Sequence, residues 1–290
     1  MKKHMKFVAT VILYNPEDNL IDNIKSYCHA VDKVYVIDNS KESNAELTGQ
    51  IQTVANVEYI AFGENRGISH ALNLALDKAI ADDADYLLTM DQDTAFRGRD
   101  AYKMKAYIIE HNNHTVGLYA ANTTDYTGNR EVENVKLALT SGNMINCRII
   151  KQIGAFDEAL FIDWVDQDVC YRLLSAGYEI YRLNRIRIEH HLGVVESKNI
   201  LGFEVKFISH KPIRYYYMTR NKFYVLRKNR ASIFQLVRFV MGTFIMLMKV
   251  VMLEENKGEK IKYMGKGVHD FFCGKIGKMP KCNDDGEYKW

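Results

Sequence analysis

The chain has 290 residues, 47% hydrophobic and 26% charged, which suits one large α/β domain with a smaller appendage and argues against a disordered protein. Its five cysteines (28, 147, 170, 273 and 282) form no C-x-x-C pair and no metal-like spacing. An odd, scattered set points to a reducing compartment and a cytoplasmic protein. The net charge of +3 hides a division: residues 201–290 carry 18 Lys/Arg against 8 Asp/Glu, and residues 1–200 carry 21 against 28. An acidic front and a basic back meet different partners, with an anionic membrane surface and nucleic acid both candidates for the back.

In chain order, Met1–Lys6 followed by the apolar Phe7–Tyr14 superficially resembles a signal peptide. The apolar run enters Asn15-Pro16-Glu17-Asp18 without a small-residue cleavage site, so it reads as a first strand. Further strands are predicted at Val34–Asp38, Val57–Ala61, Tyr86–Asp91 and Val116–Ala121, and near Val135–Ser141. A helix is expected over Ser69–Ala81, with apolar Ala71, Leu72, Ala75, Leu76 and Ala79 on one side. Another lies near Gln167–Ala176, ended by Gly177, and strand-like Tyr178–Leu183 follows. Alternating strands and helices predict a mostly parallel sheet covered by helices.

Past Arg214 the pattern is helical and basic. Ala231–Leu253 has only Arg238 and Lys249 as charges, and its unbroken apolar stretch, Phe239–Met248, is shorter than a bilayer span. On a helical wheel Arg238, Gly242 and Lys249 fall within about 40° of one another, opposite Val237, Met241, Phe244, Met248 and Met252. This predicts an interfacial helix with snorkelling basic residues. The competing reading is an ordinary core-facing helix. The tail, Lys278–Trp290, is expected to be mobile.

The most informative segment is Asp85-Tyr-Leu-Leu-Thr-Met-Asp91-Gln-Asp93, an apolar strand ending in two carboxylates. Open α/β sheets bind ligands beyond the carboxyl ends of their strands, and two hard oxygen ligands there suit Mg²⁺ or Mn²⁺ carrying a diphosphate. A polar strand end or an Asx turn would give the same letters. Downstream, Asp163, Trp164, Asp166 and Asp168 crowd a helix start. Asp163 with Asp166 would make a capping-box-like pair. Alternatively, one carboxylate accepts a proton from a sugar hydroxyl while the indole stacks on the acceptor. His190-His191 then ends a strand and offers an extra ligand for the same ion.

These features together resemble the family 2 glycosyltransferases of the GT-A fold, and more narrowly their rhamnosyltransferase-like branch, over residues 6–230. Val11-Ile-Leu13-Tyr14-Asn15 resembles the nucleotide-facing first strand, and Val36-Ile-Asp38-Asn39-Ser40 the strand whose acid reads the base. Gly63-Glu-Asn65-Arg66-Gly67 with Ala71-Leu-Asn73 resembles the loop and helix flanking the donor. Leu88–Asp93 is the D-x-D. Thr140-Ser141-Gly142-Asn143 resembles the acceptor-side strand end, Phe161–Asp166 the segment of the catalytic base, His190-His191-Leu192-Gly193 the metal-binding histidine, and Arg214–Asn221 the first helical motif after the catalytic domain. Many relatives carry Glu-Asp where this chain has Val165-Asp166, which leaves one acid of the usual pair.

The resemblance implies a GT-A catalytic domain over residues 1–210 and a basic, amphipathic helical region over 211–290. It implies an inverting, metal-dependent transfer, with Asp166 as base and Asp163 or Asp168 as alternatives. Asp91, Asp93 and His190 would hold Mn²⁺ or Mg²⁺, with His191 the rival histidine. Leu13, Tyr14, Asn15, Asp38, Asn65, Gly67, Asn73 and Asp91 would meet the nucleotide-sugar, and Ser141, Gly142, Asp163 and Trp164 the acceptor. The expected donor is dTDP-rhamnose, with a UDP-sugar as the alternative. The acceptor would be a lipid-linked or polysaccharide glycan in bacterial surface glycan synthesis, handled at the inner face of the membrane, with room for a homo-oligomer and no nucleic acid. A non-catalytic sugar-nucleotide-binding or membrane-binding relative is the rival from another class. A sugar-phosphate nucleotidyltransferase is disfavoured, because Tyr14–Asp18 is not a glycine-rich phosphate loop.

Overall fold

A computed structural model describes residues 5–16, 19–123, 128–190, 195–200, 203–230 and 232–279. The first half builds β1 (Phe7–Leu13), α1 (Leu20–Lys25), β2 (Lys33–Asp38), α2 (Ala45–Gln52), β3 (Val57–Ala61), α3 (Ile68–Ala81), β4 (Tyr86–Asp91), β5 (Thr94–Phe96), α4 (Asp100–His111) and β6 (Val116–Asn122). There follow β7 (Val132–Asn134), β8 (Asn143–Asn146), α5 (Cys147–Gln152), α6 (Val165–Ser175) and β9 (Glu179–His190). A hairpin, β10 (Val195–Ile200) and β11 (Phe203–Ile208), leads to α7 (Pro212–Lys228), α8 (Ile233–Leu253) and α9 (Lys257–Phe272).

The main sheet runs β3-β2-β1-β4-β8-β6-β9-β5, with β7 added to β9. Its β3-β2-β1-β4 half is parallel, whereas β8 is antiparallel to both neighbours and β6 is again parallel to β9. Parallel strands are buried on both faces. Accordingly Phe7, Ala9, Val11 and Leu13 enter one apolar core with Leu20, Ile24, Val36 and Leu88. Val8, Tyr35 and Ile37 enter a second core on the other face, under Ala71, Leu72, Ala75, Leu76 and Ala79 of α3. The apolar stretch at the N-terminus is thus a central strand, as its charged boundary predicted.

The strand expected over 135–141 does not form. Its carbonyls are claimed by side chains: Thr89 Oγ1 donates to Thr140 O at 2.5 Å, and Asn143 Nδ2 donates to Leu139 O. Leu137 and Leu139 stay half exposed, so the segment is irregular and pairing resumes only at β8.

The helical region is tied to the sheet domain by several hydrogen bonds. α7 lies on α9 through Tyr216, whose hydroxyl donates to Asp270 at 3.0 Å, and Gly267, where a Cβ would meet Tyr216 O at 2.6 Å. Asn221 of α7 donates to the carbonyls of Ile162 (2.7 Å) and Asp163 (3.2 Å) in the sheet domain. The chain then returns: Gly277 N donates to Ala159 O at 2.9 Å, Lys278 Nζ to Asn65 O at 2.8 Å, and Met279 N to the Tyr217 hydroxyl at 2.8 Å. Lys278 and Met279 are therefore docked rather than loose, and the rest of the expected mobile tail lies outside the described residues.

α8 differs from its expectation in two ways. At 21 residues with a window of mean hydropathy 2.0, it is long and apolar enough to cross a membrane, which the ten-residue stretch had argued against. In addition, Lys249 does not snorkel. It turns inward to Glu254 (2.8 Å) and to Ile208 O (2.7 Å), because Glu254 is fully buried and needs cationic partners.

Candidate active site

Parallel pairing puts the ends of β1, β2 and β4 side by side, with Leu13 opposite Asp38 and Ile12 opposite Asp91. Asp38 is buried and already bonded: Oδ1 accepts Ser40 N at 2.8 Å and Oδ2 accepts the Tyr59 hydroxyl at 2.6 Å. Asn15, with φ +46, donates its N–H to Ser40 Oγ at 2.8 Å. Gln92, the middle residue of the D-x-D, accepts Tyr14 N at 2.8 Å, and its own carbonyl accepts Asn23 Nδ2 at 2.8 Å. Ser141 Oγ accepts Asp91 N at 2.9 Å. The segment carrying both acids is therefore tied on both flanks.

Beyond Asp93 the chain turns into β5, where Thr94 lies opposite His190 of β9. The pairing brings the backbone of His190 next to the D-x-D. The side chain of His190 and all of His191–Val194 lie outside the described residues, so the choice between the two histidines stays a proposal. Among the described residues, no three His, Cys, Asp or Glu side chains converge as a metal site. Two carboxylates beside a histidine backbone nevertheless match the hard-donor chemistry of Mn²⁺ or Mg²⁺.

On the facing side, Gly67 (φ +90) lets the 63–67 loop reach Phe161. A Cβ there would stand 2.6 Å from the Phe161 ring and 2.7 Å from its carbonyl, which accepts Ile68 N at 2.8 Å. Asn65 Oδ1 accepts Gly67 N at 2.9 Å, and Asn39 spans the loop from Arg66 N to Gly67 O. Asn73, expected beside the donor, spends its carboxamide on Phe156 and Glu158. That bonding makes it a brace between α3 and the 156–158 segment. Gly142 (φ +76) occupies a close approach to Ile188 and Ala121.

The acid-rich helix start departs from the capping-box alternative. The N-cap of α6 is Trp164, without a side-chain cap bond, and Asp163 (φ +63) and Trp164 (φ +69) are both left-handed. Such conformations cost roughly 1–3 kcal/mol each and persist where surroundings over-determine them. Here α7 holds them. Asn221 takes the Ile162 and Asp163 carbonyls, and Arg214 takes the Asp163 carboxylate, with Nε at 3.2 Å from both oxygens and Nη2 at 3.0 Å from one.

The three acids thereby part ways. Asp168, fully buried, joins Arg172 (2.8 Å), Lys228 (3.0 Å) and Asn229 (3.2 Å) in a structural cluster. Asp163 has its pKa raised by burial, which Arg214 opposes. Asp166 is pushed up to about 6 by burial, with the charges of Asp163 and Asp91 adding to the effect. Its carboxylate accepts Gln167 N at 3.0 Å. A carboxyl near 6 that feels the charge of Asp91 changes its protonation close to neutral pH, a value suited to proton exchange.

The same crevice holds Arg214. Partial burial works against its charge, but Asp163, then Asp91 and Asp93, raise its pKa further. Sequence reasoning recognised the Arg214–Asn221 motif without giving it a task. The available signal was the spacing: residues seven apart share one helix face. Gln92 carries no such signal in the sequence, since it separates two more conspicuous acids.

The family model for glycosyl transferase family 2 matches residues 9–167, more than half of the chain. The chain belongs to that family. It is 28% identical over 284 residues to the dTDP-rhamnosyl transferase RfbF of Shigella flexneri, covering 90% of this chain and 92% of the relative. Among solved structures it is similar to GalNAc-T7 with UDP, GalNAc and Mn²⁺, at a TM-score of 0.57 and 11% identity, over 78% of this chain and 48% of that one. It is also similar to S. aureus TarS, at 0.53 and 15%, over 92% and 44%. A TarS 1–349 complex with UDP-GlcNAc gives 0.51 and 14%, over 93% and 73%. The chain spans about half the length of the first two of these structures. Together they show a GT-A fold with C-terminal helices, as the resemblance implied.

Proposed function

We propose that this family 2 enzyme is an inverting rhamnosyltransferase that uses dTDP-rhamnose and a lipid-linked or polysaccharide glycan acceptor at the inner face of a bacterial membrane. The observation that carries the reading is Asp166, a partly buried carboxyl pushed up to about 6 that feels the charges of Asp163 and Asp91. Similarity to RfbF along nearly the whole chain supports the donor.

Donor and acceptor occupy opposite walls. The ends of β1 and β2, with Asp38, and the 65–67 loop hold the nucleotide. Trp164 and the 141–142 turn receive the acceptor. Asp91, Asp93 and His190 would hold a divalent ion, which supplies charge neutralisation for the leaving diphosphate. Asp166 takes the proton of the acceptor hydroxyl as that oxygen bonds to the anomeric carbon. The bond to dTDP breaks with its electron pair on the diphosphate, and the configuration inverts. Positive charge at the anomeric carbon grows as in glycoside hydrolysis.

Calorimetric binding of dTDP, UDP and GDP, each with Mn²⁺ and again with EDTA, tests the reading. Metal-dependent binding of dTDP alone supports it. A preference for UDP replaces rhamnose with a UDP-sugar donor. Binding that survives chelation, without turnover on any donor, identifies a non-catalytic relative.

A further inference from the structure

α8 presents two unequal faces. One is fastened to the protein: Phe239 lies against Trp164 (ring centroids 5.4 Å), Thr243 accepts Lys222 Nζ at 2.9 Å, Lys249 pairs with Glu254, and Val250 is buried with Tyr215 and Met264. The other face carries Val237, Met241, Phe244, Ile245, Met248 and Met252, each between 40 and 63% exposed. At 100° per residue these six fall within an arc of about 100°, with Ile233 and Phe234, both 76% exposed, at its N-terminal end. A contiguous exposed stripe of this size marks an interaction surface.

The stripe also has neighbours. The β10–β11 hairpin is tied to the end of α8 by Lys198 Nζ, on the carbonyls of Met252 (3.3 Å) and Leu253 (3.4 Å), and it carries Phe203, 76% exposed. Arg227, Arg230, Arg238 and Lys257, all exposed, lie on α8 or within a few residues of its two ends. They belong to a region with 18 basic and 8 acidic residues. Insertion across a bilayer would require Phe239, Thr243, Lys249 and Val250 to leave their partners, whereas lying flat requires nothing of them.

We propose that α8 lies in the plane of an anionic bilayer, with its Val237–Met252 stripe inserted among the acyl chains and the surrounding basic residues on the headgroups. The proposal rests on the membrane-side reading above and fixes which face does the docking. A second consequence follows from Phe239. Trp164, on the acceptor side of the crevice, rests on the inward face of the helix whose outward face meets the lipid. The acceptor wall therefore stands about one helix diameter, roughly 10 Å, above the membrane surface, within reach of a glycan still attached to its lipid.

Co-flotation of the full chain with vesicles of phosphatidylcholine alone, or with 30% phosphatidylglycerol, tests this. The anionic vesicles should hold the wild-type chain at least tenfold more tightly than neutral ones. Phe244→Asp and Val237→Asp should each weaken that binding tenfold or more, while Ile109→Asp, at an exposed apolar position on α4, should bind as wild type. Undiminished flotation of Phe244→Asp overturns the proposal, and equal binding to neutral vesicles overturns its electrostatic half. A wild-type chain that ignores both vesicles also overturns it, and a dimer dispersed by Phe244→Asp would then make a second copy the occupant. Binding of dTDP with Mn²⁺, measured on the same variants, reports the donor site separately. Its loss counts against the function proposed above and not against the docking face.

Discussion

Arg214, on the first turn of α7, grips the carboxylate of Asp163 at 3.0–3.2 Å while the Asp163 backbone sits at φ +63. The helical region thereby supplies the restraint that the acid-rich turn of the sheet domain needs.

Asn221→Ala removes the bonds to the Ile162 and Asp163 carbonyls and the acceptor of Arg220 Nε, but leaves the Arg214–Asp163 pair in place. We expect turnover to fall about 10- to 100-fold, as misplacement of reacting groups does. dTDP affinity should stay within twofold, and stability should drop by about 1–3 kcal/mol for the carbonyls left unpaired. Steady-state kinetics beside calorimetry checks the split.

Asp166→Asn should abolish turnover and spare donor binding. In the wild-type enzyme a base must be ionised, so activity should fall as pH drops through about 6, in place of the ordinary carboxylate range. The folded-state pKa lies above the unfolded one, so the ionised carboxylate costs stability once pH exceeds both values. Asp166→Asn should therefore raise stability at pH 8 by about 1–2 kcal/mol, and the gain should vanish towards pH 4. Melting curves across pH give the sign directly.

Gly67→Ala forces a Cβ to within 2.7 Å of Phe161 in a backbone conformation that suits glycine. A loss of about 2–4 kcal/mol is expected, together with weaker dTDP binding, since the loop must withdraw. Ala at Gly63, where space is open despite φ +69, should cost about 1 kcal/mol.

Glu254 is fully buried between Lys249 (2.8 Å) and Lys260 (2.7 Å). Burial raises its pKa, but Lys249, Lys260 and Tyr215 more than offset this and bring it to about 2. Its stabilisation is present above the unfolded carboxylate pKa and is lost as pH falls through that lowered value. Glu254→Gln should destabilise by about 3–5 kcal/mol at pH 7, because it strands buried cations. The difference should narrow in acid, as denaturant titrations at pH 7 and pH 3 would record.

The parallel half of the sheet was legible because each strand is one short apolar run between polar boundaries; Val57–Ala61 and Tyr86–Asp91 match to the residue. The run at 135–141 misled because apolar letters do not disclose that Thr89 and Asn143 would take its carbonyls. β5 and β8 escaped notice, being three and four residues long with partners far away in sequence. At the site, residue types and order pointed to the D-x-D and the acidic turn. What separates Asp163, Asp166 and Asp168 is tertiary: Arg214, Lys228 and Asn229 lie on α7 or at its C-cap, 51 to 61 residues downstream of the acids they meet. Lys249 turns inward for a reason of the same kind, since nothing in the sequence marks its partner Glu254 as buried.

The bond from Lys278 to Asn65 joins positions 213 apart in the chain. During synthesis the sheet can assemble once β9 has left the ribosome. The 65–67 loop and the 163–164 turn then still wait for residues 214, 221 and 278. The bracing residues emerge after the strands and turns they brace, so the crevice matures after the scaffold. A nascent chain cut short before α7 would carry the strand ends that resemble a nucleotide site, yet lack the clamp that shapes the opposite wall.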